Sequence, residues 1–447
     1  MICATIARHD KFALNKNFEM NAIMKGKTMK QKNALFPFPF LLAYVLFVWQ
    51  VACHPILTEK ELEGKARTIH ERVLTVDTHC DTASRLLDKN WDIGVRHEPG
   101  QRRSGMIDLP RMTEGGLDAE FFAVFVGQGE RTEEGYAKAK NTALRELDAI
   151  HLMCQKYPAL VGLATLPEDA YRLKKEGKRA AFVGMENGYP VGKNLANLRE
   201  YYNKGVRYLT LCHTRDNDIC DSSTDRLSPE DNGLSDFGKE VVAECNRLGV
   251  MVDVSHISDK SFFDVLKVTK APVIASHSSC RALSDSPRNL SDEMIRALAA
   301  NGGVIQICFL TSYLRTPNLN PEREKTLKEL QDKYGSFREI KDEAIREKIR
   351  QEYEAINERF PEEKATVKDV VDHIDHVVKV AGIDFVGIGT DFDGGGGVEG
   401  CNDVSQMFRV TEELVRRGYS EKEIEKIWGG NAMHVFRRVI EISKRSS

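Results

Sequence analysis

Short apolar runs alternate with amphipathic stretches along most of this 447-residue chain. Eight of the runs are predicted strands, and most of these are continuous and rich in Val, Ile, Leu and Phe, which is typical of strands buried on both faces of a sheet. The predicted strands span residues 73–78, 119–126, 180–185, 206–212, 249–255, 271–276, 302–308 and 384–390. The helix-like stretches between and after them span residues 133–157, 194–203, 234–247, 258–268, 291–300, 366–381, 404–417, 421–428 and 431–444.

This alternation predicts an α/β fold, namely a (β/α)8 barrel of the TIM type with extra helices at the C-terminal end. A doubly wound parallel sheet is the alternative, but its functional residues cluster at one switch point. Here chemically active side chains follow most of the strands, as they do at the C-terminal face of a barrel. The sequence therefore favours the barrel.

One charged segment interrupts the alternation between the seventh and eighth predicted strands. Residues 315–366 are dense in Lys, Glu, Asp and Arg, which predicts a solvated helical insertion. Its role is open between a spacer and a lid or subunit contact. The chain as a whole is 41% hydrophobic and 29% charged, which is ordinary for a globular protein. Its net charge of −3 gives no case for nucleic acid as a partner.

The N-terminal region differs from the rest of the chain and predicts an export signal. Residues 35–52 form an uncharged apolar stretch, and four lysines between residues 25 and 32 precede it. The tripeptide that ends at Cys53 resembles the end of a bacterial lipobox, although Gln50 stands where that pattern prefers an aliphatic residue. Plain cleavage near Ala52 and a retained anchor helix are the alternatives to a lipidated Cys53.

This signal divides the chain into a signal or lipoprotein region, residues 1–56, and a catalytic barrel domain, residues 57–447. Met24 and Met29 are alternative start sites. The predicted location is the periplasm or the cell envelope, with membrane attachment through the lipid on Cys53.

Metal-ligand side chains follow four of the predicted strands. His79 and Asp81 stand two residues apart after the first strand, so both point to one side and can reach one metal ion. Glu186 follows the third strand, where an unpaired carboxylate is costly to bury. His256 and His277 end the fifth and sixth strands, and together they can hold a second ion that shares Glu186. For each residue alone, a satisfied core histidine or a salt bridge is the simpler explanation.

Three further side chains at the same face suit the chemistry around such ions. His213 ends the fourth strand and can stabilise an oxyanion, although it is also a potential ligand. Asp391 opens the loop after the eighth strand and can move a proton from water to a leaving group. Arg288 suits a bidentate clamp on a substrate carboxylate, with an ordinary surface arginine as the alternative. Asp77 is a ligand or a supporting residue, and Asp393 is a site residue or a turn residue.

Seven segments that contain these residues resemble, in the same order, those of the membrane dipeptidase (renal dipeptidase) family of zinc peptidases, which are amidohydrolase-like barrels. The resemblance covers about residues 60–445. The segments are VDTHCD (76–81), GMENG (184–188), LTLCH (209–213), DVSH (253–256), SHSS (276–279), SPRN (286–289) and GTDFDG (389–394). Cys80 departs from the family, whose members often have Asn there.

The resemblance implies a zinc-dependent dipeptidase with two zinc ions per chain, bridged by Glu186, and a metal-bridging hydroxide as nucleophile. It assigns His79, Asp81, Glu186, His256 and His277 to the metals, His213, Arg288 and Asp391 to the substrate, and catalysis to Asp391 and His213. The implied substrates are L-L dipeptides, with L-D dipeptides as an extension. A homodimer is left open.

Two other functions stay open on the sequence alone. A barrel metallohydrolase that acts on a lactone, cyclic amide, β-lactam or phosphoester uses the same kinds of ligand. A surface lipoprotein that binds peptides or metal without turnover is the alternative that is not an enzyme. The ligand types also accept Mn, Co or Fe in place of zinc.

Overall fold

The computed structural model describes residues 58–446, apart from residues 102–103, 226, 228–230, 317–319, 336–339, 341 and 362. Among the described residues, nine strands form a single parallel sheet. In chain order they are β1 (Val76–Cys80), β2 (Ala119–Phe125), β3 (Val161–Leu163), β4 (Arg179–Glu186), β5 (Val206–Thr210), β6 (Met251–Asp253), β7 (Ile274–Ser278), β8 (Val304–Ile307) and β9 (Val386–Ile388). The sheet runs β1-β2-β4-β5-β6-β7-β8-β9, and β3 pairs with β4 outside this path.

The first and last strands of this path meet and close a barrel. Cys80, at the end of β1, forms a parallel bridge with Phe392, just past β9. The backbone N–H of Asp81 donates to the carbonyl of Phe392 at 2.8 Å, and that of Asp391 donates to the carbonyl of His79 at 3.0 Å. The predicted (β/α)8 barrel is confirmed, and each of the eight predicted strands corresponds to one barrel strand.

Two features of the sheet differ from the prediction. The sequence pattern does not predict β3, because its three residues are too few to show a period. The strands β1 and β7 each end two residues later than predicted and include His79 and His277. Backbone pairing at the rim of the barrel therefore continues past the last apolar side chain of these runs.

Helices surround the barrel, and most of the predicted helices are found within a few residues of their predicted ends. Ser235, Ser258 and Ser291 cap three of them, since each side chain accepts a hydrogen bond from the backbone N–H three residues later. The helices are α1 (Glu59–Arg72), α2 (Leu109–Gly115), α3 (Glu133–Lys156), α4 (Pro167–Lys175), α5 (Leu195–Asn203), α6 (Asp236–Leu248), α7 (Asp259–Val268), α8 (Asp292–Ala300), α9 (Thr311–Leu314), α10 (Pro321–Tyr334), α11 (Glu343–Arg359), α12 (Val367–Val380), α13 (Phe408–Arg416), α14 (Glu421–Glu425) and α15 (Asn431–Ser446), with a π-helical turn at Lys426–Gly430.

The N-terminal end of the barrel is filled by apolar side chains and closed by α15. Inside it, the ring of Phe121 stacks on Phe182 at 4.6 Å and on Tyr208 at 5.7 Å between centroids. Phe436 of α15 packs edge-on against Phe182 at 6.0 Å and is fully buried. This end is therefore a dry hydrophobic core, whereas polar side chains collect at the opposite, C-terminal rim.

The predicted charged insertion lies between β8 and β9 and contains the helices α10 and α11. These two helices pack against each other, with Leu330 and Ile356 buried and an ion pair of 2.8 Å between Lys333 and Glu352. In the described part of the chain, no helix is long and apolar enough to cross a membrane. The predicted signal region and Cys53 lie outside the described residues.

Candidate metal centre

Glu186 stands at the C-terminal rim of the barrel, where β4 ends, and its two carboxylate oxygens face two groups of side chains. Oε1 lies 3.0 Å from Nε2 of His256 and 3.5 Å from Nε2 of His277. Oε2 lies 3.7 Å from Nε2 of His79. Only 2% of the residue is exposed. One buried carboxylate thus joins strand ends from three other parts of the barrel.

The first group surrounds Nε2 of His79. This atom lies 4.0 Å from Oδ1 of Asp81 and 3.9 Å from Oδ1 of Asp391. Gly394 allows the two carboxylates to approach, because a Cβ at that position would lie 2.1 Å from an oxygen of each. The three ligand atoms lie within 4.8 Å of one another, which is close enough for one metal ion to bind all three.

The second group surrounds Oε1 of Glu186. The Nε2 atoms of His256 and His277 are 2.8 Å apart, so both imidazoles and the carboxylate converge on one point. Nε2 of His213 lies 3.6 Å from the same oxygen. The His213 ring lies between Phe125, at 4.7 Å, and His256, at 4.3 Å, and its side chain is 22% exposed. His213 therefore reaches the group from the solvent side.

Left-handed backbone conformations are concentrated at this rim. Among the described residues, the non-glycine residues with positive φ are Asn187 (75°), His256 (72°), Asp391 (61°) and Asp393 (66°). Each such conformation costs about 1–3 kcal/mol, and such strain clusters at functional sites. Two of the four residues supply atoms to the groups described above, and the other two stand beside or near them in the chain.

Burial favours the neutral form of His79, His256 and His277. It lowers the pKa of His79 to about 3, with smaller contributions from the charges of Arg288 and His213. Burial also lowers the pKa values of His256 and His277 well below the usual value. A neutral imidazole keeps one nitrogen lone pair, which is what a metal ion requires of a histidine.

Hydrogen bonds at the other ring nitrogen orient two of these imidazoles. Nδ1 of His79 lies 2.8 Å from the hydroxyl of Tyr208, and Nδ1 of His277 lies 2.8 Å from Oγ of Ser276. Gly184 makes room for the tyrosine, since a Cβ there would lie 2.0 Å from its ring. In both cases Nε2 is turned towards Glu186. Partners of this kind fix the tautomer and orientation of ligand histidines.

The carboxylates of the site are buried close to one another. Burial raises the pKa of Asp81 to about 7 and raises the pKa values of Glu186 and Asp391 well above their usual range, and the neighbouring carboxylates add to the effect. Nε2 of His79 and Oδ1 of Asp81 are buried without a hydrogen-bond partner. A divalent cation would satisfy both atoms and neutralise the carboxylates. The residues present therefore fit a metal ion.

Arg288 follows β7 and lies beneath the same rim, with 4% of its surface exposed. Its Nη2 donates to the carbonyl of His277 at 3.2 Å, and its guanidinium lies 5.3 Å from the ring centroid of Tyr313. Its Nε is buried without a hydrogen-bond partner, and among the described carboxylates none forms an ion pair with it. A buried cation without a carboxylate partner suits an anionic ligand.

The structure brings together all eight side chains that the sequence singles out, and it adds others that the sequence analysis does not name. Tyr208 and Ser276 are found only through contacts between strands. Asp393, left open by the sequence, anchors the loop after β9: it accepts hydrogen bonds from Thr82 at 2.7 Å and from the backbone of Met106 at 3.0 Å. Asp393 therefore supports the loop beside the two groups of ligand atoms and belongs to neither of them.

Comparison with known proteins agrees with this arrangement. The family model described as membrane dipeptidase (peptidase family M19) matches residues 63–447. Dipeptidase tcpJ of Claviceps purpurea is 31% identical over 359 residues, covering 79% of this chain and 74% of the relative. The probable dipeptidase PvdM from Pseudomonas aeruginosa superposes with a TM-score of 0.71 at 33% identity, covering 86% of this chain and 99% of that chain.

A further solved structure, a metallopeptidase called dipeptidase AC, matches with a TM-score of 0.65 at 25% identity over 82% of this chain and 98% of its own. The family match thus spans the whole described barrel, including every side chain of the metal centre. The chain therefore belongs to the membrane dipeptidase family, peptidase family M19, and is a metal-dependent dipeptidase.

Proposed function

We propose that this dipeptidase holds two zinc ions and that Glu186 bridges them. One observation carries the proposal: the two oxygens of this single carboxylate face different ligand atoms, Oε1 those of His256 and His277 and Oε2 that of His79. His79 and Asp81 bind the first ion, and His256 and His277 bind the second. Imidazole and carboxylate ligands of this kind suit zinc.

Asp391 and His213 adjoin these ligands and take part in the reaction. Asp391 has Oδ1 3.9 Å from Nε2 of His79, and burial raises its pKa, which suits a group that accepts a proton and then returns it. His213 is more exposed than His79, His256 and His277. It can therefore meet a substrate that enters from solvent, and a ring N–H can donate to the carbonyl oxygen of the peptide bond.

The chemistry follows from these positions. When bound, two zinc ions supply Lewis acidity and a water of lowered pKa. Asp391 accepts a proton from the attacking water and delivers it to the leaving nitrogen. His213 stabilises the negative charge that develops on the carbonyl oxygen. One water is consumed, the C–N bond breaks, and two amino acids leave.

Arg288 selects substrates with a free carboxylate close to the peptide bond that is cleaved. Its guanidinium is held beside His277 and lacks a described carboxylate partner, so a substrate carboxylate can occupy that place. A hydrogen bond to a charged group contributes about 1.5–3 kcal/mol, so Arg288→Ala should raise KM for dipeptides about 10- to 100-fold. Arg281→Ala is the matched control, because Arg281 lies on the same loop and pairs with Asp259 at 2.6 Å.

A panel of L-L and L-D dipeptides tests the proposal directly. The protein is assayed as purified, after treatment with a chelator, and after zinc is added back, with its zinc content measured at each stage. We expect hydrolysis that is lost with the metal and restored when about two zinc ions per chain are regained. Hydrolysis that survives complete removal of metal, or full activity with one ion per chain, would contradict it.

We also propose that the chain is exported and that Cys53 carries a lipid. The lysines before residues 35–52 and the apolar stretch itself support this, because they have the order of an export signal. Mass spectrometry of the protein from its native envelope should find an N-terminal peptide that begins at a lipid-modified Cys53. An unmodified peptide that includes residues before Cys53 would contradict the proposal.

A further inference from the structure

Two buried aspartates occupy corresponding places in the barrel, one beside each group of ligands. Asp77 lies in β1, two residues before His79, and Asp253 ends β6, three residues before His256. Both residues are completely buried. Neither belongs to the groups of atoms close enough to hold a metal ion among the described residues.

Asp77 ties β1 to the residue that precedes Asp391. Its Oδ1 accepts hydrogen bonds from the backbone N–H of His79, two residues later, at 3.2 Å and from that of Thr390 at 2.8 Å. Its Oδ2 accepts from the hydroxyl of Thr390. One carboxylate thus fixes the backbone of His79 and of Thr390, and Thr390 directly precedes Asp391. His79 and Asp391 both belong to the first group.

Asp253 repeats this pattern between β6 and β7. Its Oδ1 accepts from the backbone N–H of Ser255, two residues later, at 3.0 Å and from that of Ser276 at 2.9 Å. Its Oδ2 accepts from the hydroxyl of Ser276 at 2.7 Å and from that of Thr210. Ser255 precedes His256 and Ser276 precedes His277, so this carboxylate fixes the backbone beside both imidazoles of the second group.

We call each aspartate together with its hydrogen-bond donors a clamp: the first is Asp77 with His79 and Thr390, and the second is Asp253 with Ser255 and Ser276. The two clamps share three elements. In each, an aspartate accepts from the backbone N–H two residues later, from the backbone N–H of a hydroxyl residue on the neighbouring strand or just after it, and from the hydroxyl of that residue. In each, the hydroxyl residue directly precedes a site residue, Thr390 before Asp391 and Ser276 before His277. Two segments at separate places in the chain thus hold a residue at the rim of the barrel by the same pattern of hydrogen bonds.

The second clamp also determines which nitrogen of His277 carries the proton. The hydroxyl of Ser276 has a single hydrogen, and it is donated to Asp253. Oγ of Ser276 can therefore only accept from Nδ1 of His277, 2.8 Å away, so Nδ1 carries the proton and Nε2 keeps its lone pair. In the first clamp the hydroxyl of Thr390 accepts instead from the backbone N–H of Phe392 at 3.1 Å.

We propose that Asp77 and Asp253 are equivalent positioning residues. Asp77 holds the backbone of His79 and, through Thr390, the start of the loop that carries Asp391. Asp253 holds the backbone beside His256 and, through Ser276, the ring of His277. The proposal rests on the two-metal function proposed above. It predicts that weakening one clamp lowers affinity at one metal site and spares the other. A clamp that only supports the fold would instead lower stability without distinguishing between the sites.

The test compares hydroxyl variants, because Asp77→Asn and Asp253→Asn each place a buried NH2 donor against donors that the carboxylate accepted, and can prevent folding. Thr390→Val removes the hydroxyl of the first clamp, and Thr390→Ser keeps it. Ser276→Ala removes that of the second clamp. Ser278→Ala is its matched control, because Ser278 is buried on the same strand and its hydroxyl lies 3.4 Å from Ser255 rather than near Asp253.

Metal-depleted protein is titrated with Co²⁺, and binding at each site is followed by visible absorption. His79→Ala removes a ligand of the first site and His277→Ala one of the second, so their spectra show which absorption belongs to which site. We expect Ser276→Ala to weaken the second site by about 10- to 100-fold, the usual effect of losing an outer hydrogen-bond partner of a ligand. We expect Thr390→Val to weaken the first site by a smaller factor, because its hydroxyl acts on His79 only through Asp77. We expect Thr390→Ser and Ser278→Ala to bind both ions as the unaltered protein does.

The outcomes separate the two proposals. An unaltered protein that binds a single Co²⁺ contradicts the two-metal function and, with it, the pair of clamps. An unaltered protein with two sites, combined with variants that weaken the same site, both sites equally or neither, overturns the clamps alone.

Discussion

The two ends of the barrel bury histidines in opposite ways. Near the N-terminal end, both ring nitrogens of His70 are hydrogen-bonded. Nε2 donates to the carbonyl of Gly115, and Nδ1 accepts from the hydroxyl of Thr411. That hydroxyl in turn accepts from the indole N–H of Trp428. At the C-terminal rim, His79 uses Nδ1 on Tyr208 and leaves Nε2 buried without a partner. Burial alone therefore does not identify a metal ligand, whereas a buried lone pair aimed at carboxylates does.

The same contrast extends to the surrounding side chains. Around the N-terminal end, apolar rings such as Phe121, Phe182 and Phe436 fill the barrel, and packing alone stabilises them. At the rim, three carboxylates share a small volume: burial raises the pKa of each, and the charge of Asp81 raises the pKa values of Glu186 and Asp391 further. One end is complete without a ligand, and the other needs a cation to balance its charge.

Removing the shared carboxylate should have the largest effect. Glu186→Gln removes a negatively charged ligand that both ions share, so we expect both sites to weaken together. We expect kcat to fall about 10³-fold or more, which corresponds to about 4 kcal/mol of lost transition-state stabilisation. His277→Ala should weaken mainly the second site. Zinc content and kcat of both variants, measured side by side, check this, and loss of only one ion in Glu186→Gln would contradict the bridge.

A cavity at the opposite end should cost stability and spare the chemistry. Phe436→Ala removes a fully buried ring of α15, and such a change destabilises a protein by about 3–5 kcal/mol. We expect a lower denaturant midpoint with kcat per folded molecule and zinc content unchanged. A parallel loss of zinc would show that the two ends are not independent.

His70 should make stability depend on pH. Burial lowers its pKa from 6.5 to about 4, so between these values the unfolded chain binds a proton that the folded chain does not. The free energy of unfolding should therefore fall as the pH falls from about 6.5 to about 4, by about 3 kcal/mol at most. Urea unfolding of the zinc-loaded protein and of His70→Gln measures it, and identical slopes in both proteins would refute this origin.

Tyr208 connects the two ends and should have the smallest of these effects. Its ring packs on Phe121 and its hydroxyl meets Nδ1 of His79, so Tyr208→Phe keeps the packing and removes only the hydrogen bond. We expect zinc affinity at the first site to fall about 10- to 100-fold. The metal-free protein should lose about 1–3 kcal/mol of stability, because Nδ1 of His79 is left buried without a partner. Unchanged affinity would remove the role given to the hydroxyl.

The sequence predicts the barrel and the metal-binding residues because both depend on local patterns. Apolar runs mark the strands, and residues such as His79, Glu186 and His277 stand where the runs end. The supporting contacts depend on pairs distant in the chain: Tyr208 is 129 residues from His79, and Thr390 is 313 residues from Asp77. A buried tyrosine or threonine in a strand looks like any core residue until the fold brings its partner close.

The ends of β1 and β7 show the same limit. The second-last residue of each strand is a histidine, so hydrophobicity places the strand ends before His79 and His277, whereas the strands include both. The left-handed conformations of His256 and Asp391 have only a weak signal in residue type, because Asp and His adopt them more often than most residues but far less often than glycine.

The central claim, that one carboxylate joins two metal ions, is tested most directly by anomalous X-ray diffraction from crystals of the zinc-loaded enzyme at the zinc absorption edge. The account predicts two anomalous peaks about 3.5–4 Å apart, one beside His79 and Asp81 and one beside His256 and His277, with Glu186 contacting both. A single peak, or two peaks that do not share Glu186, would contradict it.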